Sequence, residues 1–223
     1  MGFIRKLGLA LTIPLGFYIF RLGQAQYQLQ KLTYFVDEIS PEDASFESTL
    51  YADIWGSKGY ESVESWAVGI AVPFQSVPPH LWDEESFGKE VFLQLWNSRL
   101  TTQFGQPPVL QSPKTGQNAI NPRQGAQVVS VGRQDMSIAT INRPSVTNVL
   151  PTGYEHIVTA FDRENEVAMI MIKYIWHMKK PTPPSWRKSL VRFFQINGRR
   201  QWLLSLANSL ANQRRRAEGK PEL

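Results

Sequence analysis

The segment Gly153–Arg216 constrains the fold most, because it joins a long hairpin, a run of prolines and a long amphipathic helix. Gly153–Asp162 (GYEHIVTAFD) and Glu166–Met178 (EVAMIMIKYIWHM) are rich in β-branched and aromatic residues, the composition of strands. The polar run Asp162-Arg163-Glu164-Asn165 separates them as a turn. A two-residue loop at Arg163-Glu164 sets Tyr154, His156, Val158 and Ala160 on one face with Val167, Met169, Met171, Lys173, Ile175 and His177. Glu155, Ile157, Thr159 and Phe161 then share the other face with Ala168, Ile170, Ile172, Tyr174 and Trp176. A one-residue change in the loop reverses that pairing of faces. The second strand is apolar on both sides, which predicts a central strand covered on both faces. Pro181, Pro183 and Pro184 end the ladder. Ser185 then caps a helix in which Trp186, Leu190, Phe193 and Phe194, and later Trp202, Leu203, Leu206, Leu210 and Ala211, recur at helical spacing. One face of this segment is expected to bury against something, because a stripe that apolar is rarely left in water. Asn197-Gly198 is expected to kink or briefly break the helix.

At the other end, Leu7–Phe20 is a long apolar run, preceded by Arg5 and Lys6 and followed by Arg21. As a helix it covers roughly 21 Å, short of a hydrocarbon core of ~30 Å unless flanking residues snorkel. It reads as a single-pass membrane anchor, with a cleaved signal, an interfacial helix or an organellar presequence as alternatives. The expected organisation is an N-terminal anchor-like helix over residues 1–36, an acidic linker over 37–45, an α+β domain over 46–213 and a flexible basic tail over 214–223. Within the domain, Phe46–Trp55 reads as a strand, and Ser62–Val72 as a strand or a short helix. Asp83 caps a helix over Glu84–Thr102, with Phe87, Val91, Leu95, Trp96 and Leu100 on its inner side. Gln106–Gly125 reads as a long loop. Gln127–Val131, Met136–Asn142 and Val146–Leu150 read as short strands before the hairpin. The predicted class is α+β: a curved antiparallel sheet gripping the long C-terminal helix, with an apolar cavity between them.

This order of elements resembles the START-like (helix-grip) superfamily. The segment Leu93-Gln94-Leu95-Trp96-Asn97-Ser98-Arg99-Leu100-Thr101-Thr102-Gln103-Phe104-Gly105 is similar to the helix motif of a START-like family of unknown function, in which a Leu- and Arg-bearing helix ends in Phe-Gly. The resemblance covers about residues 46–213 in layout and a dozen residues in motif. It implies a cavity for a hydrophobic small molecule or lipid, and it carries over no catalytic residue.

The chemistry-bearing residues are sparse. The chain has no cysteine, hence no disulfide scaffold and no thiolate metal site. It has no Gly-rich phosphate loop, dinucleotide fingerprint or zinc-protease motif. His156 and His177 share a strand face, but the two-residue loop separates them by roughly 20 Å at strand rise, too far for one metal. No metal and no cofactor are expected. His156 and Asp53 are the candidate acid or base groups. From Lys179 to Arg216 there are ten basic residues and no acidic ones, interleaved with Trp186, Phe193, Phe194 and Trp202. Together with Leu7–Phe20 this favours an anionic membrane over nucleic acid as partner. The leading reading is a membrane-associated protein that binds a hydrophobic molecule or lipid between Ile172, Tyr174, Trp176, Phe194 and Trp202. The alternatives are a cyclase- or isomerase-type enzyme on the same scaffold, and a non-catalytic subunit or assembly factor of a membrane complex.

Overall fold

The computed structural model of the chain describes residues 23–37, 60–121, 124–142, 152–179 and 185–222. The Leu7–Phe20 run, most of the acidic linker, the expected strand Phe46–Trp55 with Asp53, and Val146–Leu150 lie outside them. A helix over residues 23–32 (α1) leads into strand β1 (Tyr34–Asp37). There follow β2 (Tyr60–Pro73), two short 3-10 turns, α2 (Glu84–Thr102), β3 (Asn118–Ile120), β4 (Gln124–Val131), β5 (Asp135–Asn142), β6 (Thr152–Asp162), β7 (Val167–Lys179) and α3 (Ser185–Ala217). The described strands form one antiparallel sheet in the order β1-β2-β7-β6-β5-β4-β3. The sheet is curved, and the architecture is the expected α+β class, a curved antiparallel sheet with a long C-terminal helix.

β7 is central, between β2 and β6. Ala168, Ile170, Ile172 and Tyr174 on its inner face are buried, whereas Met169, Met171 and Lys173 on its outer face are only half-buried. The hairpin closes with a four-residue turn in place of two, so Asp162 pairs with Val167. Glu166 takes a left-handed φ of 52°, and the Asp162 carboxylate accepts from the Asn165 backbone and side chain at 3.0 and 2.7 Å. A shift of two residues keeps every side chain on its expected face. His177 thereby falls opposite Thr152. Ser62–Val72, open between helix and strand, lies within β2.

Asp83 caps α2, accepting from the Ser86 backbone at 2.8 Å, with Glu84 and Glu85 placed favourably in the first turn. Gly105, at φ 62°, closes the other end and lets the Gln106 N–H reach the Leu100 carbonyl at 2.8 Å. The long loop that follows is pinned at Val109, whose N–H and C=O both bond the Asn97 side chain at 2.7 and 2.9 Å. It also contains β3, which its polar composition hid.

α3 differs most from expectation. It runs unbroken through Asn197-Gly198. Its fully buried apolar positions lie in the second half, while in the first half Val191 and Ile196 pack half-buried against the core. Leu203, Leu206 and Leu210 are buried in the core with Trp66, Trp96, Ile157, Ile170 and Ile172, and each contributes about 2 kcal/mol by leaving water. In the first half Trp186, Leu190, Phe193 and Phe194 are 61, 48, 50 and 64% exposed. The flank of this half is held instead by the N-terminal elements: Gln26 donates to Asn197 at 2.7 Å, and Phe35 of β1 lies under Arg192 and Arg200. The sheet therefore begins before the expected boundary at residue 46. At the far end Arg214, Arg215 and Arg216 lie inside the helix rather than in a tail, and Arg214 pairs with Glu218. Among the described residues no helix is long and apolar enough to cross a membrane.

Candidate functional site

A cavity of about 210 Å³ lies where the C-terminal end of α2 meets α3 over the sheet. Its wall combines Leu95, Ile172 and Trp202 with Ser98, Arg99, Thr102, Gln103, Glu155, Gly198 and Arg199. Each element presents these residues for a local reason. Arg99 stands one turn beyond Leu95 on the buried side of α2. Glu155 and Ile172 occupy inner positions of β6 and β7, and Arg199 and Trp202 lie on the side of α3 that turns toward the sheet. Thr102, Gln103 and Gly198 are exposed and form the mouth.

Glu155 dominates the electrostatics. Its side chain is 1% exposed, and it bridges two guanidinium groups: Arg99 donates to Oε2 and Arg199 to Oε1. Burial alone would raise the carboxyl, but Arg199 and Arg99 outweigh it and hold the group down at about 2. Burial likewise opposes the charge on Arg199, and Glu155 more than restores it. Arg99 also donates to Thr140 at 3.3 Å. Arg199 stacks over the Tyr174 ring at 5.4 Å, and Tyr174 in turn meets Trp66 at 4.9 Å between ring centroids. Burial pushes the Tyr174 hydroxyl up to about 12, so it stays neutral.

Of the residues expected to form a site, Ile172 and Trp202 reach the cavity wall. Tyr174 lies behind it, against Arg199. Trp176 follows two residues further along β7, and its side chain lies outside the described residues. Phe194 is exposed on the first half of α3 and takes no part in the wall. His156 neighbours Glu155 in sequence, so strand alternation sends it to the opposite face of the sheet. There it is buried, with Nε2 3.3 Å from the Asp135 carboxylate. Burial, the largest influence, lowers its pKa; Asp135 opposes it, and Lys173 adds the smallest contribution, a further lowering. It has no access to the cavity from that face. Among the described residues no group of three metal-ligating side chains occurs.

The ion triad is what sequence reasoning missed. The signal was present, since Glu155 and Arg99 both sit among apolar residues on inward-facing positions, and neither is tolerated there without a partner. The triad leaves the cavity unable to take up or release a proton near neutral pH through Glu155. It offers instead a fixed charge at the foot of an apolar wall.

No family model and no curated protein matches the chain. Among solved structures it is similar to Ara h 8.0201, at 10% identity and a TM-score of 0.43, over 68% of this chain and 99% of that one. It is similar to protein CV1439 from Chromobacterium violaceum at 11% identity and a TM-score of 0.39, over 69 and 97% of the two chains. It is also similar to the di-domain ARO/CYC StfQ from the steffimycin biosynthetic pathway at 14% identity and a TM-score of 0.40, over 67% of this chain and 51% of that one. Likenesses of this grade transfer no activity, and the fold stands on this chain's own strand order and helix placement.

Proposed function

We propose that the chain binds a small amphipathic molecule in the cavity between α2, α3 and the sheet. The observation that carries this is the composition of the wall. One side is apolar, made by Leu95, Ile172 and Trp202, and the other holds Arg99, Glu155 and Arg199 with the hydroxyls of Ser98 and Thr102. Mixed linings of this kind fix a ligand's orientation through a few polar groups while its body leaves water.

Volume narrows the class. Pockets for drug-sized molecules run to roughly 300–1,000 Å³, and this one is about 210 Å³. A two-chain lipid is too large. A single short acyl chain or a compact ring system fits. The enzyme alternative draws nothing from His156, which faces away from the cavity, while its other candidate, Asp53, lies outside the described residues.

The same proposal places the protein at an anionic membrane surface. In its support, the first half of α3 exposes Trp186, Leu190, Phe193 and Phe194, and the sequence adds Arg187, Lys188 and Arg192 with no acidic residue.

Native mass spectrometry of the gently purified full chain tests the cavity reading. The expected spectrum contains a co-purifying small molecule that dissociates on activation. A protein partner bound in stoichiometric amount, with no small molecule, would instead favour the subunit reading.

A further inference from the structure

We propose that the ligand carries one negatively charged group, a carboxylate, and that Arg199 receives it. The proposal rests on the reading that the cavity is a ligand site, and it adds which chemistry that site selects. Three charges meet on the wall: two guanidinium groups and one carboxylate. Both oxygens of Glu155 are engaged, one by each arginine, so Glu155 cannot neutralise both. The wall holds no second acidic residue, and one positive charge is left in excess. In a partly dry space an excess cation attracts a counter-charge far more strongly than it would in water.

The two arginines are not equivalent. Arg99 is 7% exposed and shares its guanidinium between Glu155 and Thr140. Arg199 is 18% exposed, uses one terminal nitrogen on Glu155, and stands beside Gly198 at the mouth. No side chain at Gly198 screens it, and nothing lies within 4 Å of where a Cβ would stand. Tyr174 supports the guanidinium from below, holding its plane in place. A planar fork fixed at the rim of an apolar cleft matches a carboxylate, which accepts two parallel N–H bonds. Leu95, Ile172 and Trp202 then take the apolar body.

Isothermal titration of the full chain at pH 7 with octanoate and with 1-octanol tests this. The two probes share a chain and differ in charge. Octanoate is expected to bind ~10-fold tighter or better, the usual return on a charge-assisted pair over a neutral one. Arg199→Gln should abolish the preference for octanoate over 1-octanol, and Arg199→Lys should retain part of it. Equal binding of the two probes overturns the anionic ligand and leaves the cavity reading standing. Binding of neither overturns both. A preference for octanoate that survives Arg199→Gln removes Arg199 as the receiving group. The wild-type comparison decides the anionic ligand without any variant, and if Arg199→Gln does not fold, Arg199→Lys decides the role of Arg199: an undiminished octanoate preference in it would remove Arg199 as the receiving group.

Discussion

At the scale of single residues, two buried ionisable groups beside one another in sequence are shifted in the same direction on opposite faces of the sheet. Glu155 is ionised because of Arg199 and Arg99, and His156 is held toward the neutral form chiefly by burial. Both groups have folded pKa values below their unfolded ones. Each therefore contributes stability that is present above the unfolded pKa and lost as pH falls through the folded one. Urea unfolding followed from pH 8 downward should lose stability in two stages. The first begins near the ordinary histidine value of 6.5. The second lies between 4.5 and about 2, as Glu155 protonates, and amounts to on the order of 3 kcal/mol. In Arg199→Gln the Glu155 pKa rises and the second stage shrinks. The stability gap between wild type and variant should then close across that interval, and a gap that stays constant would detach Glu155 from Arg199.

At the scale of elements, two glycines in helices test the packing in opposite directions. Gly88 lets α2 sit against the β4–β5 turn, where a Cβ would stand 2.4 Å from the Arg133 backbone carbonyl oxygen. Backbone cannot step aside as a flexible side chain can, so Gly88→Ala is expected to destabilise by about 1–3 kcal/mol. Gly198 meets nothing, and Gly198→Ala should stabilise α3 by up to about 1 kcal/mol. Thermal melts of the two variants check both signs.

The same elements show what was legible beforehand. α2 could be read nearly to the residue, because Asp83 is an unambiguous cap and the apolar spacing from Phe87 to Leu100 never falters. The faces of β6 and β7 were readable although the turn length was not, since alternation survives a shift of two residues. β1 and β3, at four and three residues, are too short to carry a periodic signal. The difference in burial between the two halves of α3 was illegible for a different reason. Its apolar stripe is continuous, and only the tertiary arrangement shows that Phe193 and Phe194 stay exposed while Leu203, Leu206 and Leu210 are buried. In the site, Ile172 and Trp202 were visible as apolar candidates, while the Arg99–Glu155–Arg199 triad joins three elements distant in sequence.

At the scale of the whole molecule, the exposed aromatic half of α3 requires a function or a cover. Contiguous apolar surface of this kind marks an interaction site when basic residues accompany it. The chain carries a formal net charge of +5, so an anionic surface is also favoured at long range. The full chain should sediment with vesicles of phosphatidylcholine and phosphatidylserine more than with phosphatidylcholine alone. The double variant Phe193→Ser, Phe194→Ser should weaken that sedimentation. Equal sedimentation of wild type and double variant would mean that this face of α3 is not the contact.

A single continuous helix carries both the outward aromatic residues and, one to two turns later, the arginine and tryptophan at the cavity rim. Gln26 of α1 hydrogen-bonds Asn197 between the two. A molecule in the cavity and a surface against the aromatic side chains would both bear on this one element. Were both to bind, any coupling carried by the helix would have to be reciprocal.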